Sequence, residues 1–285
     1  MLGNQVVDSA RTVPGVLGGV AQAFSALRDP RQALSATLDY ARSAPRVAGA
    51  AGPPGSPLLA GRSLAWRFST FDMHYADLRA AAKFAGASVN DAYLAGLSGA
   101  MRHYHDRLGA PVVAIPLALP ISIRAEGDTT AGNKITVGRV AAPLALDDPL
   151  ECMLTIREQV RRARREPAAG MFDVVGPILV WLPSEVLGFA GKTASVNDVQ
   201  ASNVPDPRHD TYMAGAKIER SYPFGPLPGC AVMATMFTQG DIACLGINHD
   251  DAAVADRALF AECVVEGFAE ALALAPGAHR PIHRG

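Results

Sequence analysis

A stretch rich in alanine, glycine and proline divides the chain. It covers residues 43–61 and has Ala51-Gly52-Pro53-Pro54-Gly55-Ser56-Pro57 at its centre. This composition is typical of a linker and offers few side chains large enough to build a core. The sequence therefore predicts a helical and linker segment over residues 1–62 and a globular domain over residues 63–275. Residues 276–285 are expected to form a frayed tail.

Composition and charge exclude several classes of protein. Of the 285 residues, 49% are hydrophobic and 19% are charged, which excludes bulk disorder. The formal net charge of −1 provides no basic field, so nucleic acid is not an expected partner. The four cysteines are too few and too widely spaced for a disulfide framework or a zinc cage, and no metal site is predicted. With neither a signal peptide nor a spanning apolar run visible, we expect a cytoplasmic protein.

Strand and helix patterns alternate along the globular region. The run Ala65–Phe71 alternates large apolar with polar residues, which predicts a half-buried strand. Ser88, Asn90 and Asp91 suit the N-terminus of a helix that continues to about Arg107, because their side-chain oxygens accept free backbone N–H groups. The small residues of this helix predict close packing against another element. Further strand patterns and a last helix place the chain in the α/β class, with a mixed β-sheet covered by helices.

The familiar catalytic motifs are absent from the sequence. It contains no Gly-x-Gly-x-x-Gly, no Walker-type phosphate loop and no Gly-x-Ser-x-Gly elbow. We therefore expect no cofactor. His103 and His105 are two residues apart on a predicted helix, cannot share a ligand, and are interpreted as surface residues. His249-Asp250-Asp251 follows a strand, where it forms either a turn or a site that orients a base or a metal.

Two polar segments lie at the ends of predicted strands. In the first, Arg124 ends an apolar run and Asn133 follows soon after; a buried arginine there would need partners or water. In the second, Ser202 and Asn203 precede the proline-rich run Val204-Pro205-Asp206-Pro207. Asn and Ser commonly form turns, so both a turn and a functional site stay open.

A third segment, Gly176–Pro183, is apolar and bracketed by prolines. It contains Ile178, Leu179 and Trp181, and it is too short to span a bilayer. The segment is either part of the core or a surface that contacts a membrane or an acyl chain. Membrane contact is favoured by Trp181 and by the nearby basic run Arg161–Arg165, which suit a membrane interface.

Several of these segments occur, in order, in one protein family. The chain resembles the C-terminal half of the bacterial wax ester synthase/acyl-CoA:diacylglycerol acyltransferase family over about residues 63–275. The matching motifs are Val89-Asn90-Asp91-Ala92-Tyr93-Leu94-Ala95, Pro120-Ile121-Ser122-Ile123-Arg124 with Gly132-Asn133, Ser202-Asn203-Val204-Pro205, Tyr212-Met213-Ala214-Gly215-Ala216, Tyr222-Pro223-Phe224-Gly225-Pro226-Leu227, and the closing turn Gly246–Asp256.

The resemblance implies one lobe of the two-lobed coenzyme-A-dependent acyltransferase fold, with a substrate tunnel between the lobes. It implies acyl-CoA as a substrate rather than a cofactor, a lipid alcohol such as diacylglycerol as the acceptor, and peripheral contact with the inner face of the membrane. The implied candidates at the tunnel or lobe interface are Asn90, Asp91, Arg124, Asn133, Ser202 and Asn203.

The family's catalytic His-His-x-x-x-Asp-Gly motif does not occur in this sequence. In the family, its histidine is the general base that deprotonates the acceptor hydroxyl. We therefore assign no catalytic residue to this chain. We expect it to be inactive alone and to need an N-terminal lobe or self-association. The alternative is a non-catalytic module that binds a lipid or a partner on the same fold.

Overall fold

The computed structural model describes residues 52–122, 135–166, 197–204, 210–227, 229–277 and 279–285, together with Asp39 and Arg42. The chain divides into two compact units, Met1–Ala44 and Pro45–Gly285. In the first unit, Asp39 and Arg42 form an exposed ion pair at 3.6 Å.

Four α-helices, one short 3-10 helix (Pro57–Leu59) and nine strands make up the described part of the second unit. The helices are α1 (Tyr75–Phe84), α2 (Val89–Arg107), α3 (Pro149–Arg164) and α4 (Arg257–Leu272). The strands are β1 (Trp66–His74), β2 (Ala114–Ser122), β3 (Ile135–Pro143), β4 (Val199–Val204), β5 (Tyr212–Met213), β6 (Ala216–Lys217), β7 (Val232–Gln239), β8 (Ile242–Asp250) and β9 (His283–Arg284). Among the residues described, no helix combines the length and hydropathy needed to cross a membrane.

Seven strands form one mixed sheet in the order β3-β2-β4-β7-β8-β1-β9. The pairs β2–β4 and β4–β7 are parallel, whereas all other neighbours are antiparallel. The short strands β5 and β6 form a separate hairpin. This architecture confirms the predicted mixed sheet with helices.

The two faces of the sheet have different surroundings. On β8, the alternating residues Ala243, Leu245 and Ile247 are buried in the core together with side chains of the helices. We call this side the helix face. The opposite side, the outer face, has Thr235 of β7 and Gly246 of β8 next to each other. It is covered in part by residues 222–227, since a Cβ on Gly246 would lie 2.1 Å from the carbonyl oxygen of Pro223.

Glycines allow α2 and α4 to approach closely, as the small residues of α2 predicted. A Cβ added to Gly267 would lie 2.1 Å from the backbone nitrogen of Ala100 and 2.6 Å from the carbonyl oxygen of Gly96. A Cβ on Gly96 would in turn meet the ring of Phe268 at 2.6 Å. Backbone lies directly against backbone at this crossing, so no larger residue fits without movement of the helices.

Residues 52–62 pack on the domain despite their linker composition. Ser56 and Leu59 are buried. The Ser56 backbone N–H donates to Asp198 at 2.6 Å, and its hydroxyl lies 2.6 Å from Nε2 of His105. Composition did not reveal this packing because it depends on partners more than forty residues away. His105 is itself buried, so the surface interpretation of this histidine is wrong.

The last residues also contact the sheet. His283 and Arg284 form β9 and pair with Asp72 and Phe71 of β1, and the N–H of Gly285 donates to the carbonyl of Thr70 at 3.1 Å. The expectation of a frayed tail is therefore wrong for these residues, because the free edge of β1 supplies backbone partners that local sequence does not show.

Candidate functional site

The first turn of α2 is held by a reciprocal cap. The Ser88 hydroxyl accepts from the Asp91 backbone N–H at 3.2 Å, and Asp91 Oδ2 accepts from the Ser88 N–H at 2.9 Å and from the Ser88 hydroxyl at 2.7 Å. This is a capping box, which satisfies two otherwise free donors of the helix. The buried carboxylate of Asp91 is therefore used locally, while Asn90 beside it is only half-buried and makes no hydrogen bond within the described residues.

Tyr93 joins this turn to the sheet. Its hydroxyl donates to the carbonyl oxygen of Ala234 on β7 at 2.9 Å and also interacts with the backbone of Ser202 on β4. Complete burial raises the pKa of Tyr93 above its ordinary value, so the phenol stays protonated and remains a donor. Since Tyr93 lies one turn after Asn90, the structure brings the Asn90–Asp91 segment close to Ser202–Asn203.

Ser202 and Asn203 of strand β4 lie on opposite faces of the sheet. Val199 and Ala201 are buried in the core, so alternation places Asn203 on the helix face and Ser202 on the outer face. Both side chains are half-buried. The turn interpretation of these two residues is wrong, because the ladder to β7 extends through both of them.

Thr235 is a site residue that sequence reasoning missed. It pairs directly with Ser202 in the β4–β7 ladder, on the outer face. Its side chain is 5% exposed, and its hydroxyl has no hydrogen-bond partner among the described residues. The signal available in the sequence was a polar residue within the apolar run Val232–Phe237. A buried hydroxyl without a partner is costly, and the half-buried Ser202 lies directly beside it in the ladder.

Residues 222–227, the cover segment, are tied to the outer face by polar contacts. Asn248 exchanges two hydrogen bonds with the backbone of Gly225, at 3.3 and 2.8 Å. Asp72 accepts from Tyr222 at 2.7 Å and from Arg220 at 2.8 Å. Desolvation and the neighbouring carboxylate raise the pKa of Tyr222 to about 12, which keeps this phenol a donor. The cover segment is therefore fixed beside the row that holds Ser202 and Thr235.

His249 does not provide an accessible base. It is buried, its ring contacts Phe260 at a centroid distance of 5.6 Å, and its burial lowers its pKa below the ordinary value. Asp250 accepts from the backbone of Ser63 and Ala252, and Asp251 pairs with Arg67 at 2.9 Å. His249 and Asp250 are the last residues of β8, so the turn interpretation is wrong for these two and is confirmed for Asp251, which begins the turn after the strand. In the described part of the chain, no three His, Cys, Asp or Glu side chains are placed to hold a metal ion.

Five candidates named from the sequence lie outside the described residues: Arg124, Asn133, Ile178, Leu179 and Trp181. Their roles stay predictions, including the pairing of Arg124 and the membrane or acyl-chain contact of Trp181. The described site thus consists of α2's first turn, the end of β4 and Thr235.

Comparison with known proteins shows which proteins this chain is similar to. Residues 131–271 match the model of the WS/DGAT C-terminal domain. A putative diacylglycerol O-acyltransferase of Mycobacterium tuberculosis is 47% identical over 271 residues, covering 93% of this chain and 55% of that protein. A second putative diacylglycerol O-acyltransferase of the same species is 29% identical over 260 residues, covering 86% of this chain and 54% of that protein.

Comparison with solved structures supports the fold described above. The chain resembles a wax ester synthase/diacylglycerol acyltransferase from Marinobacter aquaeolei VT8, with a TM-score of 0.59 and 19% identity over 86% of this chain and 57% of that one. A structure concerned with condensation domain-mediated chain release from the enacyloxin polyketide synthase matches with a TM-score of 0.53 and 18% identity, over 82% of this chain and 47% of that one. The chain spans about half the length of these relatives, and it has the fold of one lobe of a two-lobed acyltransferase. Over residues 131–271, just under half of the chain, its sequence is similar to the WS/DGAT C-terminal domain.

Proposed function

We propose that this chain is the C-terminal lobe of an acyl-CoA-dependent O-acyltransferase of the wax ester and triacylglycerol type. The observation that carries the proposal is the 47% identity, over 93% of the chain, to a putative diacylglycerol O-acyltransferase. In the reaction, the oxygen of a lipid alcohol attacks the acyl thioester. An ester bond forms, the carbon–sulfur bond breaks, and the hydroxyl proton passes through a base to the departing coenzyme A thiolate.

The hydroxyl groups on the outer face are suited to substrate binding in this reaction. Ser202 and Thr235 are neighbours in the ladder, and Thr235 is buried with an unused hydroxyl. A thioester carbonyl or an acceptor oxygen placed beside Ser202 would find the hydroxyl of that residue as a donor. Asn90 is half-buried at the first turn of α2, on the helix face of the sheet, which is also the face of Asn203.

The base is expected from a companion lobe. Of the histidines in the described residues, His105 and His249 are buried, and His103 is paired with Glu270 at 2.9 Å. His74, His279 and His283 lie at the β1–β9 edge, where Arg280 contacts His74 at 2.6 Å. Since β7 and β8 lie between β1 and β4, none of these histidines is next to Ser202.

The hairpin β5–β6 supports a companion lobe. Tyr212 and Met213 are 61% and 71% exposed, and both central residues of the turn, Ala214 and Gly215, have positive φ. A two-stranded hairpin is marginally stable alone. Its anchors at described residues are a hydrogen bond from Gln239 to Thr211 at 3.1 Å and the Arg220–Asp72 ion pair at its far end. An exposed apolar arm of this kind suits insertion against a partner.

The test compares the chain alone with a chimera. In the chimera, the part of the 47% identical M. tuberculosis protein outside the matched region precedes this chain. Acyl transfer from palmitoyl-CoA to diacylglycerol is expected for the chimera and not for the chain alone. Ser202→Ala in the chimera should lower turnover about tenfold, since it removes one hydrogen-bond donor. Thr155→Ala, at a half-buried position of α3 outside the proposed site, is the matched control.

The alternative is a non-catalytic lipid-binding or partner-binding module. The exposed hairpin favours it as much as it favours a companion lobe. An inactive chimera whose chain still binds diacylglycerol or palmitoyl-CoA would support this alternative and contradict the transferase proposal.

A further inference from the structure

Strand β9 occupies only half of the free edge of β1. Phe71 and Asp72 pair with β9, and the Gly285 N–H donates to Thr70. Beyond Thr70, towards Trp66, no described residue pairs with this edge of β1. The lower half of the edge, Trp66–Ser69, is therefore open in the described structure.

The hydrogen bonds of β1 show which of its backbone groups point away from β8, towards the open edge. The carbonyl of Ala65 accepts from the N–H of Asp251, next to β8, at 2.9 Å, whereas the carbonyl of Thr70 accepts from the β9 side. Backbone groups alternate between the two edges of a strand. Trp66 and Phe68 lie four and two residues before Thr70. Their N–H and C=O groups therefore point the same way as those of Thr70, away from β8. These are the groups that an additional strand would bind.

Aromatic side chains lie beside this open edge. Trp66 and Phe68 are 41% and 58% exposed on the outer face. The ring of Phe68 meets that of Phe224 edge-to-face at 5.0 Å, and Phe224 is 43% exposed. The edge thus combines free backbone groups with an apolar surface, the two features that strand addition uses.

We propose that Trp66–Ser69 receives an extended segment of the companion lobe as an added strand, with an apolar side chain of that segment against Phe68 and Phe224. The inference rests on the proposed function for the existence of that lobe. Two observations select this occupant. The matched relatives are about twice as long as this chain, and β9 already continues the sheet along the same edge.

Two other occupants fit less well. A lipid surface would contact the aromatic rings but would leave the N–H and C=O groups of Trp66 and Phe68 without partners, which is costly. A second copy could pair around Arg67 without meeting β9, which occupies the edge from Thr70 onwards. Antiparallel pairing about that residue would place Arg67 opposite Arg67 of the other copy, and like charges directly opposite are destabilising.

Hydrogen exchange followed by mass spectrometry tests the proposal on a peptide covering residues 64–70. Exchange is expected to be at least tenfold slower in the chimera than in the chain alone, because the Trp66 and Phe68 amides become bonded. Phe68→Pro removes one outward donor, and it should abolish the added protection while β1 keeps its bonds to β8. Phe68→Ala, which removes the same ring but keeps the N–H, is the matched control and should retain most of the protection.

The outcomes separate this inference from the proposed function. An active chimera with unprotected residues 64–70 overturns the added strand and leaves the transferase proposal intact. Protection of the Trp66 and Phe68 amides that is already present in the chain alone, that grows with protein concentration, or that anionic phospholipid vesicles confer would assign the edge to another occupant and overturn the inference. A chimera with neither turnover nor protection overturns both.

Discussion

Asp91 illustrates how one carboxylate can serve stability at a candidate functional site. It is buried, yet its hydrogen bonds all go to Ser88 in the same turn. Asn90 next to it has no such bond within the described residues. Adjacent residues of one motif therefore do different things: one orders the end of the helix, and the other is free to face a ligand.

Substitution of Asp91 should separate these roles. Asp91→Ala is expected to lower the free energy of unfolding by about 1 kcal/mol, because the Ser88 N–H loses its acceptor. Asn90→Ala, the matched control, should change it by less than about 0.5 kcal/mol. Urea unfolding followed by circular dichroism measures both. Equal losses for the two variants would show that Asn90 is structural as well.

Asp198 should make stability depend on pH. Burial raises its pKa to about 6, above the ordinary 3.8, so the folded state favours the protonated carboxyl. This contribution grows as the pH falls from about 6 towards 4. The lowered pKa of buried His105 acts in the opposite direction, since stability is lost as the pH falls below about 6.5.

An Asp198→Asn variant isolates the first effect, because the amide oxygen can still accept from Ser56. At pH 7.5 the variant is expected to be more stable than the native chain by at most about 2–3 kcal/mol, and the difference should vanish near pH 4. Unfolding free energies at both pH values give the measurement, with the exposed residue Asp241→Asn as control. A difference that is constant with pH would contradict the raised pKa.

At the scale of elements, the α2–α4 crossing shows that glycine can be required by packing alone. A glycine in the middle of a helix normally costs about 1 kcal/mol relative to alanine. At this crossing, the close approach of backbone to Gly267 outweighs that cost.

Gly267→Ala should therefore destabilise the protein, against the helix propensity scale. We expect a loss of about 1–3 kcal/mol, because the new methyl group would meet backbone atoms of α2. Glu262→Ala, at an exposed position of α4, is the control and should stay within about 0.5 kcal/mol. Thermal unfolding measures both. A stabilised Gly267→Ala variant would show that the helices can separate at little cost.

For the whole molecule, exposed apolar groups are concentrated outside the helix face. The hairpin β5–β6 and the edge of β1 contribute Tyr212, Met213, Trp66 and Phe68. Single exposed apolar residues are ordinary, but these two groups are surfaces that the proposed companion lobe would cover.

Replacing Tyr212 and Met213 together by serine tests the hairpin. The free energy of unfolding of the chain alone should change by less than about 0.5 kcal/mol, since both side chains are exposed. Binding of a hydrophobic dye should fall, and turnover by the chimera should drop at least tenfold. Replacing exposed Val113 by serine is the control. Unchanged turnover would mean that the hairpin takes no part in assembly.

The mixed sheet, the family and the α2 cap could be predicted because they depend on patterns within one stretch of chain: alternation in β1, Ser88 followed by Asp91, and ordered motifs. The unused hydroxyl of Thr235, the burial of His105, the packing of Ser56 and the pairing of β9 could not. Each depends on a partner brought close by the fold, such as Ser202 beside Thr235 or Asp198 beside Ser56. Side-chain burial and hydrogen bonding are set by tertiary neighbours, and no spacing along the chain encodes those distances directly.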